Sequence, residues 1–373
     1  MDRRLFLKYG AGSLGIMACS NCLGQIESEN FPLISINGKY SCEPLFYEKT
    51  ANGALCELCP NKCTVTEIRP GNCRTRYVRN GNFFCNAYGN PYYVKNEVPE
   101  EESLYHFMPA EKMLVIGTCG CNLTCLYCNV SAVSQVSPED TRHQELFPEQ
   151  AIQACQKDNI RVIAYGYTDP VVFYEYMFET SKLAHAKGIR NVFLSNGHIN
   201  EVPLRKLAPF LDAAVIDVKA FTDATYKKLT GGSIFPVFNS LKILKEMNVW
   251  LEITHLLVPG WTDNFELLQK MCRWMADNGF TSTPLHFNQF LPAYQLAHLN
   301  KTGDASLLKA REIALKEGLK YVYTNSPKNT EFHNTFCPKC NNLLVERKAS
   351  GIKTNKLKAG TCNQCGEKIE GIW

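Results

Sequence analysis

Eighteen of the 373 residues are cysteine, and most of them fall in three tight clusters. That pattern narrows the fold before any helix or strand is considered. A C-x2-C pair makes a poor disulfide, yet both of its sulfurs can point at one ion. Chains stapled by disulfides are usually small and short of core residues. This one is long enough to bury a sizeable core, and 45% of it is hydrophobic. The clusters therefore read as metal ligands, and the thiols as mostly reduced. Charged residues make up 20% and the net charge is +4, an ordinary globular balance that does not argue for a nucleic-acid partner.

The chain divides into four segments. Residues 1–25 read as a targeting segment: Arg3-Arg4-Leu5-Phe6-Leu7-Lys8 matches a twin-arginine signal, and the apolar stretch Tyr9 to Ala18 follows. Ile16-Met17-Ala18-Cys19 is lipobox-like, which makes Cys19 a candidate for lipidation. An unprocessed basic-apolar terminus is the plainer alternative. No stretch reaches the ~20 apolar residues of a membrane span. Residues 26–110 have no clear helical period and form a loop-rich, cysteine-rich module. Residues 331–373 form a small zinc-ribbon-like module.

Residues 111–330 alternate short β-branched runs with amphipathic stretches. Strands are expected at 113–116, 161–165, 191–195, 213–217, 250–254 and 284–288, with a further one at 321–323. Helices are expected at 171–187, 237–247 and 265–278, among others. Strand–helix alternation of this length implies an α/β fold with parallel strands in a full or partial barrel. Polar residues follow each strand: Thr118 and the cysteines, then Thr168 and Asp169, Asn196-Gly197, Asp217 and Lys219, His255, and Asn288-Gln289. In a β/α barrel such positions share one mouth. Glu252, His255 and His286 either position a substrate there or are hydrogen-bonded barrel residues; Tyr165 and Tyr167 either shield a reactive species or fill the interior.

The sharpest motif is Cys121-x3-Cys125-x2-Cys128. Three thiolates leave one iron of a four-iron cubane open. An open iron can bind the amino and carboxylate groups of S-adenosylmethionine, and an electron from the cluster can break the sulfonium bond to give a 5′-deoxyadenosyl radical. A structural zinc knuckle with Cys119 as fourth ligand is the alternative. The preceding strand and Tyr127 favour the cluster.

These residues carry a resemblance. With Gly120-Cys121-Asn122-Leu123 and Tyr127-Cys128-Asn129 go Asp217-Val218-Lys219-Ala220-Phe221, Trp250-Leu251-Glu252-Ile253-Thr254, Val258-Pro259-Gly260 and Pro284-Leu285-His286-Phe287, in that order. From about Leu55 to Trp373 the chain resembles the radical SAM superfamily, in particular the branch of pyruvate formate-lyase activating enzymes and the radical SAM enzymes of the AmmeMemoRadiSam system. The resemblance implies a partial (β/α)6 barrel with S-adenosylmethionine across its mouth. It places Cys121, Cys125 and Cys128 on a [4Fe–4S] cluster, Lys219 at the methionine carboxylate and Asn196 beside the adenosine, with Asp217 and Tyr127 also lining the cofactor. It further implies a hydrogen-abstracting oxidoreductase with a protein substrate or partner, and an external electron donor such as flavodoxin or ferredoxin. Cofactor supply then favours catalysis in the cytoplasm, with export or membrane association through the leader as the alternative. Three positions depart from the activating-enzyme pattern: Tyr167-Thr168-Asp169-Pro170 replaces Gly-Gly-Glu-Pro, Leu194 stands at an acidic position, and Gln295 stands for a histidine.

Two further constellations suit metals. Cys56-x2-Cys59-x3-Cys63-x9-Cys73 supplies four ligands, which fit zinc or a closed second [4Fe–4S] cluster equally well, with Cys85 as a substitute ligand. Arg69, Arg74, Arg76 and Arg79 make this segment basic and read as a solvated face. Cys337-x2-Cys340 and Cys362-x2-Cys365 lie about twenty residues apart, as in a zinc ribbon. Cys155 and Cys272 read as buried core thiols. The competing function is a non-catalytic scaffold in which the clusters hold zinc or pass electrons.

Overall fold

The computed structural model describes residues 38–326, 330–348 and 351–373. The leader-like segment 1–25 lies outside the described residues. Sixteen strands are described: β1 (Tyr47–Thr50), β2 (Gly53–Cys56), β3 (Thr64–Thr66), β4 (Arg76–Arg79), β5 (Asn82–Cys85), β6 (Tyr93–Glu97), β7 (Met113–Gly117), β8 (Val162–Gly166), β9 (Arg190–Ser195), β10 (Ala213–Asp217), β11 (Trp250–Leu257), β12 (Leu285–Gln289), β13 (Val322–Thr324), β14 (Thr335–Phe336), β15 (Leu343–Lys348) and β16 (Gly351–Asn355). The helices are α1 (Ser131–Ser134), α2 (Pro148–Lys157), α3 (Tyr174–Ala186), α4 (Glu201–Leu207), α5 (Asp223–Thr230), α6 (Ile234–Glu246), α7 (Phe265–Asp277) and α8 (Asp304–Lys316).

Strands β7 to β13 pair in chain order and in parallel, and β6 adds antiparallel to β7. All seven expected strands are present, each within a few residues of its expected bounds. Parallel pairing in chain order brings every strand's C-terminal end to the same edge, the edge that β/α folds use for sites. The sheet is open among the described residues, with β6 and β13 at its edges. The cysteine-rich segment carries more strand than expected. β1–β3 and β4–β5 form two small sheets of their own, and β6 joins the main one. These strands are only three to five residues long, too short to show a period in sequence.

Both faces of the main sheet are covered. Along each strand alternate residues point opposite ways. Leu114, Ile116, Ile163, Phe193, Ala214, Ile216, Ile253 and Phe287 pack with the helices. The helices bury matching stripes; α7, for example, buries Leu268, Met271, Cys272 and Met275. Its start is set by Asn264, whose side chain accepts from the Glu266 and Leu267 N–H groups. On the other face Met113, Val115, Val162, Ala164, Val192 and Val215 pack against Leu104, Phe107 and the C-terminal Ile372.

A polar pin holds that second cover in place. The Glu252 carboxylate on β11 is fully buried and accepts from the N–H groups of Tyr105 (3.0 Å) and His106 (2.7 Å) and from His286 Nε2 (2.7 Å). His106 Nδ1 donates to the Glu370 carbonyl at 2.7 Å, and the Tyr323 hydroxyl donates to its Nε2 at 2.5 Å. Glu252 and His286 therefore serve as buried pins on this second face, near the start of their strands, and lie away from the site edge.

The pin titrates. Burial holds the His106 ring down at about 4, against ~6.5 for a free imidazole. The fold favours the neutral ring, so this contribution is complete above about pH 6.5 and is lost as the pH falls toward 4. Unfolding free energy should drop by about 3 kcal/mol across that window on account of this group. Urea melts between pH 7 and 4 should show the slope, and His106→Asn, which keeps a donor for Glu370, should flatten it.

Candidate active site and metal centres

β7 runs directly into the loop that carries Cys121, Cys125 and Cys128. Thiolates need fixed positions to share a metal, and this loop takes its rigidity from its surroundings. Thr124 and Leu126 N–H donate to the carbonyls of Thr230 and Leu229 at 2.8 and 2.9 Å. A helix leaves its last carbonyls unpaired, so the end of α5 is completed by the cysteine loop. Gly231 permits the approach: its φ is +76°, and a Cβ there would lie 2.6 Å from Thr124 Oγ1. On the other side Gln295 and Leu296 N–H close on the Leu126 carbonyl at 3.0 and 3.2 Å.

Asn122 ties the loop to two more segments. Its Nδ2 donates to the His198 carbonyl at 2.7 Å, its Oδ1 accepts from Asn196 Nδ2 at 2.8 Å, and its carbonyl accepts from Asn61 Nδ2 at 2.7 Å. Asn196 is thus engaged in holding the loop, and its Oδ1 also accepts from the His198 N–H at 2.8 Å. Asp169 supports Asn196 in turn. The buried carboxylate accepts from the Asn196 and Val171 N–H groups at 2.8 and 3.0 Å and from the Ser195 hydroxyl. Burial pushes the Asp169 carboxyl up to about 6 despite those bonds. Thr168 Oγ1 donates to the Gly120 carbonyl.

The charge in the site belongs to Lys219 and Asp217. Lys219 Nζ donates to Asp217 Oδ2 at 2.9 Å and lies 5.9 Å from the centre of the Tyr127 ring. Thr254 donates to the other Asp217 oxygen. Burial works against charge on Lys219, but Asp217, Tyr127 and Cys125 outweigh it and hold the ammonium well above its ordinary pKa. Burial likewise opposes charge on Asp217, and Lys219 and Thr254 hold its carboxyl below its ordinary value. Burial raises the Cys125 thiol to about 11, with Lys219 pulling the other way. A metal there must displace protons as it binds.

The structure thus joins Cys121, Cys125, Cys128, Tyr127, Asn196, Asp217 and Lys219 at one edge of the sheet. It leaves others out. His255 faces the helices and donates through Nδ1 to the Val218 carbonyl at 2.6 Å. Gln289 donates to the Thr302 carbonyl, and Tyr165 to Asn191 on the helix side. Cys119 packs against Thr141, and Cys155 and Cys272 are fully buried.

The other cysteine sets differ in how closely their sulfurs sit. Cys337, Cys340, Cys362 and Cys365 all lie within 4.8 Å of one another. The Cys337–Cys365 and Cys340–Cys362 sulfur pairs are 3.6 and 3.7 Å apart. A tetrahedron with ~2.3 Å zinc–sulfur bonds has edges of ~3.8 Å, so this is the spacing of a single ion. Cys56, Cys59, Cys63 and Cys73 instead line one shared cavity. Cys85 takes no part there and sits with Cys42 and Glu175. Arg76, expected on a solvated face, is 1% exposed and paired with Glu175 at 2.8 Å. Its partner lies 99 residues away, so no local pattern announced it.

The radical SAM superfamily model matches residues 115–272, which include the cysteine loop and Lys219. An uncharacterized protein of Methanocaldococcus jannaschii is 36% identical over 331 residues, 88% of this chain and 98% of its own length. The chain belongs to the radical SAM superfamily. Another member of similar sequence is the pyruvate formate-lyase-activating enzyme of Staphylococcus epidermidis, 26% identical over 57% of this chain and 88% of its own. Among solved structures, that of SuiB from Streptococcus suis bound to S-adenosylmethionine is 15% identical, covers 64% of this chain and 56% of its own, and has a TM-score of 0.44. Radical SAM membership implies a [4Fe–4S] cluster and S-adenosylmethionine, and three cysteines on a loop at the site edge suit them. No helix among the described residues is long and apolar enough to cross a membrane.

If Asn122 holds the loop, Asn122→Ala should leave Asn196 Nδ2 and the His198 carbonyl buried without partners, at about 1–3 kcal/mol each. Urea unfolding should show the loss. Iron retained by Cys121, Cys125 and Cys128 after anaerobic gel filtration should fall below half of wild type.

Proposed function

We propose that this protein reductively cleaves S-adenosylmethionine and abstracts a hydrogen atom from a substrate, as activating enzymes do. The observation that carries the proposal is a three-thiol loop, fixed on all sides at the C-terminal edge of a parallel sheet, with the Lys219 ammonium beside Cys125. The open sheet is read as a partial barrel around that edge. Cys121, Cys125 and Cys128 would hold the [4Fe–4S] cluster. The cluster and S-adenosylmethionine together supply a 5′-deoxyadenosyl radical.

The chain's own groups supply binding and order. Lys219 offers a charged donor for the methionine carboxylate, and Asp217 fixes its position. Asn196 borders the adenosine side of the site while its amide anchors Asn122. The Tyr127 hydroxyl is buried without a hydrogen-bond partner among the described residues, so the ring serves as an apolar wall under Lys219. Cys337, Cys340, Cys362 and Cys365 would hold zinc and brace the end of the chain. The relationship to pyruvate formate-lyase-activating enzyme supports a protein as substrate, and a one-electron donor of the flavodoxin or ferredoxin class would feed the cluster. The replacements at Thr168-Asp169, Leu194 and Gln295 separate this site from that relative's pattern, so the substrate would differ too. Catalysis would take place in the cytoplasm, where cofactor and reductant are supplied.

Anaerobically reconstituted protein given dithionite and S-adenosylmethionine should release 5′-deoxyadenosine and methionine, and Cys125→Ser should abolish both. No product from a verified, reducible cluster would refute the proposal. Lys219→Met should keep the cluster but bind S-adenosylmethionine about 10–100-fold more weakly, the range for losing one charged hydrogen bond. Calorimetric titration reads the change directly.

A further inference from the structure

We infer that Cys56, Cys59, Cys63 and Cys73 hold a second, fully capped [4Fe–4S] cluster, with Arg76 donating hydrogen bonds to its sulfurs. The first reason is size. A single ion draws four thiolates to ~3.8 Å of one another, as the C-terminal four show at 3.6 and 3.7 Å. No three of the N-terminal sulfurs come within 4.8 Å of one another among the described residues. They line one shared cavity instead. A cubane spreads its thiolates around a larger body and fits that wider cage.

The second reason is Arg76. Its side chain is 1% exposed and lines the same cavity. Nη2 is taken by Glu175. Nε and Nη1 are buried with no hydrogen-bond partner among the described residues. Buried guanidinium donors left unpaired are costly, and a cluster carrying inorganic sulfide and thiolate sulfur would satisfy them. Backbone donors are already in place: Asn72 N–H points at Cys63 Sγ at 3.4 Å.

The third observation concerns position. Asn122, next to Cys121, also lines the cavity. Gly120 has a φ of +86°, and a Cβ there would lie 2.2 Å from the Cys73 carbonyl. The two cysteine loops are therefore packed backbone to backbone. Four thiolates leave no iron open, so this cluster would bind no substrate. It can exchange one electron at a time, its net charge going from 2− to 3− on reduction by an external donor of the ferredoxin or flavodoxin class.

The test removes the catalytic ligands, so its result does not depend on S-adenosylmethionine cleavage. The triple variant Cys121→Ser/Cys125→Ser/Cys128→Ser is made anaerobically with iron and sulfide supplied, and circular dichroism confirms that it is folded. Iron, acid-labile sulfide and zinc per chain are then measured. About four iron and four sulfide should remain, with a [4Fe–4S]+ electron paramagnetic resonance signal after dithionite. Adding Cys56→Ser and Cys73→Ser should remove them. Two zinc per chain with no sulfide, or no metal beyond the C-terminal ion, would overturn the inference. In the same background Arg76→Met with Glu175→Gln, which leaves no buried charge alone, should shift the cluster's midpoint potential more negative. An unchanged potential would overturn the role given to Arg76.

Discussion

The amide of Asn122 is the point on which the geometry of the three-cysteine loop depends. A cysteine loop has no stiffness of its own, and three thiolates are useful to an iron cluster only if their relative positions survive its absence. Asn122 reaches the segment after β9, and its carbonyl takes a bond from Asn61 in the N-terminal module. The last carbonyls of α5 do the same from a third side. The α5 carbonyls would be unpaired at the end of their own helix, so completing the helix and fixing the cysteine loop are one act. Asp169 extends the chain of support, and its partial loss of acidity is the cost of being placed where it can hold Asn196 and Ser195 without meeting solvent.

Sulfur spacing gives this protein an internal standard. Three sets of cysteines arise in one chain, and the C-terminal set shows what the spacing of a single ion looks like in this very fold. Against it the two remaining sets are wide. The cysteines thus separate into one closely spaced terminal set and two neighbouring, wider sets near the C-terminal edge of the sheet. Gly120 marks the seam between them, since any side chain there would push the two loops apart.

Much of this was legible in the sequence because it is encoded at short range. The strands from β7 to β13 announce themselves by β-branched runs, and the cysteine motifs by spacing alone. What depended on distant partners was not legible. Arg76 looked like one of four surface arginines until Glu175, on α3, proved to be its counter-ion. For Glu252 and His286 the sequence left two readings open, a place at the mouth or a hydrogen-bonded place within the sheet, because a strand's sequence does not say what segment will cover it; Tyr105 and His106 turned out to cover them. Asn196 was readable as a polar residue just past its strand, and Gly197 after it does adopt φ +68°, but the grip of Asn196 on Asn122 bridges 74 residues. The short strands of the cysteine-rich segment were missed because runs of three to five residues are too short to show a hydrophobic period.

The pin at His106 has a consequence for synthesis. His106 bonds to Glu370, 264 residues further on, and Phe107 and Ile372 pack together on the second face of the sheet. A ribosome adds roughly 5–20 residues per second, so tens of seconds separate the emergence of the two partners. During that interval β7 to β12 can pair while one apolar face waits for its cover. Nascent chains of this protein would therefore pass through a long stage in which the cysteine loop already exists but the sheet behind it is open.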